Sequence, residues 1–269
     1  MRRPALLRAL PRRLRKSAWY RLYRGGDPRW LPLYRAARLE HAPRVAMELV
    51  PGDLASDCIA FTGVYELPLG DRVVELGRRG GTMIDVGANL GYFALVWAAA
   101  NPANRVVAIE ASPRNVPILR RNVESNGLAG RVQVHAVAAG REPGRMRFDL
   151  GPTGQNGWGG LVGSGHGGAP AAEVVEVDVA RVDALVPDQP IALLKVDVEG
   201  ADAWAIEGCD RLLRAKLVAE VRYEQNLPRI RALGIDPDAA QAYLRSVGYE
   251  PLIEDASNPE IIEWVATPA

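Results

Sequence analysis

The densest group of residues able to do chemistry is the run Asp85-Val86-Gly87-Ala88-Asn89-Leu90-Gly91. It joins a short apolar run, residues 82–86, to an apolar helical stretch, residues 89–100. Gly87 allows a tight turn, and the short side chains around it let a ligand approach the backbone. The start of the following helix offers unpaired N–H groups. Glu110 ends the next apolar run, 23 residues after Gly87. An acid there can accept hydrogen bonds from both hydroxyls of a ribose. Turn and acid together point to a cofactor that carries a nucleoside.

The details of the turn separate two kinds of cofactor. A dinucleotide site asks for Gly-x-Gly-x-x-Gly, so that backbone can pack against a pyrophosphate. Here Asp85 precedes the turn, and Asn89 stands where the second close glycine would be. An acid at that point repels phosphate and attracts an ammonium group. This favours S-adenosylmethionine, whose amino-acid part is a zwitterion and whose sulfonium is cationic. The candidate cofactor residues are Asp85, Gly87, Asn89, Gly91 and Glu110, with Asp197. An NAD-dependent oxidoreductase on a Rossmann-like sheet is the alternative reading.

A second group lies at residues 195–199, Lys-Val-Asp-Val-Glu. In a strand, alternation puts Lys195, Asp197 and Glu199 on one side. Charges leaving the carboxyl end of a central strand are costly unless paired or used, and ligands of open α/β sheets bind at that end. Asp197 is the first choice for the group facing both a reacting methyl and an acceptor hydroxyl, with Glu199 beside it. Glu220 is placed by the next apolar run, residues 216–223, as a further carboxylate on the same rim. Neighbouring carboxylates raise one another's pKa, which suits a general base. His166 is another candidate base, in a loop that can close. Trp158, in the same loop, can stack on a sugar or pack on the domain.

The elements that must position these groups alternate in type. Short apolar runs at 82–86, 105–110, 131–137, 191–198 and 216–223 are separated by helical stretches. This order predicts a doubly wound parallel α/β sheet. Residues 249–254 and 260–265 are two further runs with a short polar gap, so a hairpin adds an antiparallel end to the sheet. Helices are expected at 66–79, 113–126, 201–215 and 237–247. Residues 151–168 hold nine glycines between two strand-like stretches. They read as the long tip of a β-hairpin with no packed element of its own.

Three longer runs resemble one family. They are MIDVGANLGYF, IEASPRN followed by LRRNVESN, and LLKVDVEGADAWAIEGCDRLL. Together with Gly63-Val64-Tyr65-Glu66 and Asn156-Gly157, they are similar to the FkbM family of class I S-adenosylmethionine-dependent methyltransferases. The resemblance covers about residues 60–225. It implies a Rossmann-like seven-stranded methyltransferase sheet. It also implies O-methylation of a hydroxyl on a saccharide or natural product, with Tyr65 and Glu66 bordering the cofactor. Ala111-Ser112-Pro113 and Asp202 depart from the usual pattern, and neither removes a needed functional group.

Composition bounds the rest. The chain has 269 residues, 48% of them hydrophobic, and a formal net charge of +1. This excludes disordered, collagen-like and multi-span membrane chains. Two cysteines exclude a disulfide framework and a cysteine-rich zinc site. The three histidines lack metal-ligand spacing, so no metal is expected. A cytoplasmic protein is expected, since the basic start is not followed by an apolar leader. The charge is uneven. Residues 1–24 hold nine basic residues and no acid, so the remaining body is net negative. Residues 1–50 read as a basic helical segment and linker, and residues 51–269 as the catalytic domain. The basic head can dock on the acidic body, stay unstructured, or touch anionic lipid as a peripheral membrane contact. The expected partner is a small-molecule or glycan acceptor, and a nucleic acid is disfavoured by the acidic body. Oligomeric state is not read from the sequence.

Overall fold

In the computed structural model the described residues are 3–22, 28–162 and 173–269. The candidate base His166 lies outside them. Seven strands form the main sheet: β1 Thr82–Val86, β2 Arg105–Ile109, β3 Val132–His135, β4 Ile191–Val196, β5 Val221–Asn226, β6 Tyr249–Asn258 and β7 Ile261–Pro268. Their order is β6-β7-β5-β4-β1-β2-β3. The first five strands pair in parallel, and β7 runs antiparallel between β5 and β6. The doubly wound sheet with a hairpin end is thus the α/β fold expected from the sequence.

Alternation along the strands divides two cores. Met83, Val106, Ala108 and Leu193 face one layer, while Ile84, Val86, Val107, Ile109, Leu194 and Val196 face the other. Helices from Leu67–Arg79 and Tyr92–Ala100 cover the first face. Helices from Asp202–Glu207, Asp210–Arg214 and Ala239–Ser246 cover the second. Asp85 and Lys195 share the parity of Met83 and Leu193, so two charged side chains point into the first layer.

The basic head packs on the same layer. Its helices Ala5–Ala9 and Arg12–Leu22 are separated at Pro11, whose ring cannot continue a helix. Leu7 and Trp19 are buried, and Trp19 stacks on Phe61 of the helix Leu54–Thr62. Buried Arg15 donates to the Thr62 carbonyl at 3.2 Å and pairs with Glu40 at 3.2 Å. A two-stranded ribbon, Ala37–Arg38 with Ala46–Met47, follows. Asn122 and Asn126 of the helix Val116–Ser125 bond the Glu48 and Ala46 amides at 2.6 and 2.9 Å.

Four readings of the elements change. The fifth strand begins at Val221 and runs to Asn226, rather than covering 216–223. Its register is set from both sides, by Leu194 opposite Val221 and by Ile261 opposite Asn226. The helix expected at 201–215 is two short ones, Asp202–Glu207 and Asp210–Arg214. A helix at Leu227–Leu233, capped by Asn226 and led by Pro228, was not anticipated. The glycine-rich segment is not bare either. Gly144–Asp149 pairs with Val174–Ala180 as a hairpin, but Gly160–Leu161 also returns to pair with Gly144–Asp149. Asn156–Trp158 forms a 3₁₀ turn. Polar side chains, not apolar burial, hold that turn in place, which is why apolar patterning misses it.

Candidate functional site

The turn after β1 is built around close backbone approach. Gly87 has a φ of 75°, and a Cβ there would fall 1.8 Å from the carbonyl oxygen of Asp197. Only glycine admits the end of β4 at that distance. The Asp197 amide donates to the Val86 carbonyl at 3.1 Å, and the Gly87 and Ala88 amides donate to Ile109. These bonds align the carboxyl ends of β1, β2 and β4. Asn89, with a φ of 50°, donates its amide to Glu110 Oε2 at 2.7 Å. Glu110 Oε1 accepts from the Ser112 amide at 2.9 Å and Asn115 Nδ2 at 3.4 Å. Burial pushes the Glu110 carboxyl up, against these donors. The Asn89 Oδ1 atom is buried and has no partner among the described residues.

Charge concentrates at the end of β4. Lys195 Nζ lies 3.5 Å from Asp85 Oδ1, 3.3 Å from Asp197 Oδ2 and 3.1 Å from the Gly87 carbonyl oxygen. It sits 5.4 Å from the centre of the Phe93 ring. Burial works against its charge, but Asp197, Asp85 and Glu66 outweigh burial and hold the ammonium protonated. Around this cation stand further acids. Glu66, at the start of the helix Leu67–Arg79, is pushed up to about 7 by burial and by Asp197, with Lys195 opposing. Glu199 is pushed up to about 8 by burial and Asp197, with Arg229 opposing. Glu224 reaches about 9 through burial, Asp197 and Glu199. Burial and mutual repulsion thus favour the protonated forms of Glu199 and Glu224, while Glu66 is divided between its two forms near neutral pH.

A latch closes the nucleoside side. Asp53 caps the helix Leu54–Thr62 through the Ser56 amide and accepts the Asn156 amide at 2.8 Å. Asn156 Nδ2 donates to Asn115 Oδ1 at 2.8 Å, and Asn115 Nδ2 donates to the Asn156 carbonyl at 3.0 Å. Asn115 in turn reaches Glu110. The 3₁₀ turn is thereby tied to the acid that ends β2.

Glu66, Gly87, Asn89, Glu110, Asp197 and Glu199 line one cleft at the carboxyl edge of the sheet. It holds roughly 1090 Å³ of empty space, open mouth included, enough for a nucleoside-sized ligand. Two other candidates stand behind it. Asp85 is fully buried, and its carboxylate meets Lys195 rather than the cleft surface. Gly91, with a φ of 96°, faces Leu119, where a Cβ would lie 2.6 Å from a methyl group. Glu220 is not brought to this rim. It precedes β5, and Arg72 and Arg222 bind its two oxygens. Burial opposes its charge, yet these guanidiniums hold its carboxyl below the usual range. The later start of β5 puts Glu224 on the rim instead. Trp158 is half exposed, outside the cleft lining, and its carbonyl accepts from Arg229. Sequence reasoning missed Glu224, Asn115 and Asp53. The Asn-Pro motif at 226–228 (Asn226-Leu227-Pro228), a helix start, would have signalled that β5 extends to its cap.

Comparisons with known proteins point to a methyltransferase family. The family described as the methyltransferase FkbM domain matches residues 85–251. Methyltransferase 1 of Beauveria bassiana is 29% identical over 151 residues, covering 48% of this chain and 58% of that protein. The tRNA wybutosine-synthesizing protein 2 homolog of Rattus norvegicus is 34% identical over 92 residues, 32% of this chain and 21% of that one. The chain thus spans just over half of the first relative and about a fifth of the second. Among solved structures, precorrin-6y C5,15-methyltransferase from Geobacter metallireducens aligns at 12% identity and a TM-score of 0.45, over 77% of this chain and 90% of that one. The family match spans more than half of the sequence and includes every cleft residue from Gly87 to Glu224. The chain belongs to the FkbM methyltransferase family.

Proposed function

We propose that the protein transfers a methyl group from S-adenosylmethionine to a hydroxyl of a saccharide or natural-product acceptor. When bound, this cofactor supplies a methyl already activated on a cationic sulfonium. The residues fit it. Glu110 is buried, aimed into the cleft and held by three donors, as an acceptor for two ribose hydroxyls requires. Asn89 Oδ1 is an unpartnered acceptor beside it. At the other end of the cleft Lys195 is flanked by two acids, Asp85 and Asp197, and their oxygens suit the ammonium and sulfonium of such a ligand. The nicotinamide reading is not favoured, because the family is one of methyltransferases.

The observation that carries the reading is the placement of Asp197. It lines this cleft and also a second cavity beside it. Lys195 engages its Oδ2, while no hydrogen bond from a described residue reaches its Oδ1. That oxygen can take the proton of an acceptor hydroxyl as the methyl moves. The protein's remaining work is to position the reactants and exclude water. Asp197→Asn is expected to keep S-adenosylhomocysteine affinity and lower methyl transfer about 100-fold or more. Single-turnover rates together with calorimetry check this. Full activity in the variant would remove Asp197 as the base.

A further inference from the structure

The second cavity opens between the basic head and the C-terminal hairpin. It meets the cofactor cleft at Glu66, Lys195, Asp197 and Glu224. With its mouth it holds about 1340 Å³ of empty space. One wall is the helix Arg12–Leu22, through Arg12, Arg13 and Lys16. At 100° per residue Arg13 lies on the side away from Arg15 and Trp19, which face the core, while Arg12 and Lys16 border that buried stripe. Arg12 is engaged, reaching Asp71 at 3.7 Å and Glu40 at 3.9 Å. Arg13 and Lys16 are exposed and make no hydrogen bond or ion pair with any described residue.

The opposite wall carries acids, and part of their charge is offset by cations. Arg222 pairs with Glu254. Glu263 is pushed up to about 8 by burial, Glu66 and Asp197, with Lys195 opposing. Asp255 keeps its charge at the exposed lip and accepts from the Ser257 amide. Arg13 and Lys16 therefore face a wall of mixed charge, in which Lys195 pairs with Asp197 and Arg222 with Glu254. The helix wall and Glu254, Asp255 and Glu263 lie outside residues 85–251, the part matched by the family, while Lys195, Asp197, Arg222 and Glu224 at the cavity floor lie inside it.

We propose that this groove is the acceptor site and takes a hydroxyl compound bearing a phosphate, gripped by Arg13 and Lys16 while its hydroxyl meets Asp197. The inference rests on the methyltransferase reading and narrows its acceptor to a phosphorylated class. Phosphate is suited to this pair, because arginine gives directed hydrogen bonds to oxyanions and lysine adds a mobile point charge. The phosphate can be that of a soluble sugar phosphate or of a lipid-linked one.

The test uses the full-length protein with two probes, inorganic pyrophosphate in solution and vesicles containing phosphatidylglycerol. Arg13→Gln and Lys16→Gln are compared with Arg21→Gln, which makes the same charge change on another face of the helix. Binding of one probe is expected to weaken about tenfold in each groove variant and to stay at the wild-type value in Arg21→Gln. Dependence in the pyrophosphate arm assigns a soluble phosphate, and dependence in the vesicle arm alone assigns a lipid phosphate. Equal loss in all three variants, or no loss in either arm, would overturn the proposal. S-adenosylhomocysteine affinity is measured in parallel. Its absence in wild type would count against the methyltransferase reading, whereas its retention with probe binding that ignores Arg13→Gln and Lys16→Gln would count against the groove alone.

Discussion

Lys195 organises the chemistry of the cleft. A buried ammonium is costly alone, and here Asp85 and Asp197 flank it at 3.5 and 3.3 Å. One cation does not balance all the acids around it, so Glu66, Glu199, Glu224 and Glu263 sit at about 7, 8, 9 and 8. This has a consequence for stability. A raised carboxyl pKa means that the folded state keeps a proton the unfolded state has released. The stabilisation is complete below the unfolded value of about 4.3 and is lost as pH rises through the folded values. Thermal melts of the ligand-free protein should therefore fall steadily from about pH 5.5 to about pH 9. A flat or rising profile would show that the cluster is already ionised. Ionised carboxylates also attract a sulfonium, so the affinity for S-adenosylmethionine relative to S-adenosylhomocysteine should grow over about pH 6 to 8. Much of this was legible from residue types, since alternation alone groups Lys195, Asp197 and Glu199. The ion pair with Asp85 was not, because it depends on β4 lying beside β1 with Lys195 opposite Asp85.

At the scale of elements, β1 and its turn were readable because they combine a buried apolar strand with glycines that sterics demand. β5 was not placed correctly. Residues 216–223 look like a strand by composition, but the pairing partners on both sides fix a frame starting at Val221. That shift exchanges Glu220 for Glu224 on the rim. Glu220 belongs to a network with Arg72 and Arg222, all inside or beside the first layer. Glu220→Gln should lower unfolding free energy by about 2 kcal/mol while leaving cofactor affinity unchanged. Urea titration and calorimetry on the same variant separate the two effects. A variant of wild-type stability that lost turnover would return Glu220 to the active site. The glycine-rich turn was misread for a similar reason. Its hold comes from Asp53 and Asn115, 103 and 41 residues away in sequence from Asn156, and such polar pairs leave no periodic trace.

At the scale of the molecule, the uneven charge acquires a structural place. The basic head docks through Leu7, Trp19 and Arg15, and leaves Arg13 and Lys16 at the mouth of the second cavity. No helix among the described residues is long and apolar enough to cross a membrane. Nor do the described residues hold a cluster of three or more His, Cys, Asp or Glu suited to a metal ion. The proposed function places the chemistry in one cleft at the carboxyl edge of the sheet, with the nucleoside end at Glu110 and the reacting end at Asp197. Calorimetric titration with S-adenosylmethionine tests that account most directly, run on wild type and on Glu110→Gln with NAD as the competing ligand. Wild type should bind S-adenosylmethionine and not NAD, and Glu110→Gln should bind it about tenfold more weakly. Tighter binding of NAD, or an unchanged affinity in Glu110→Gln, would contradict it.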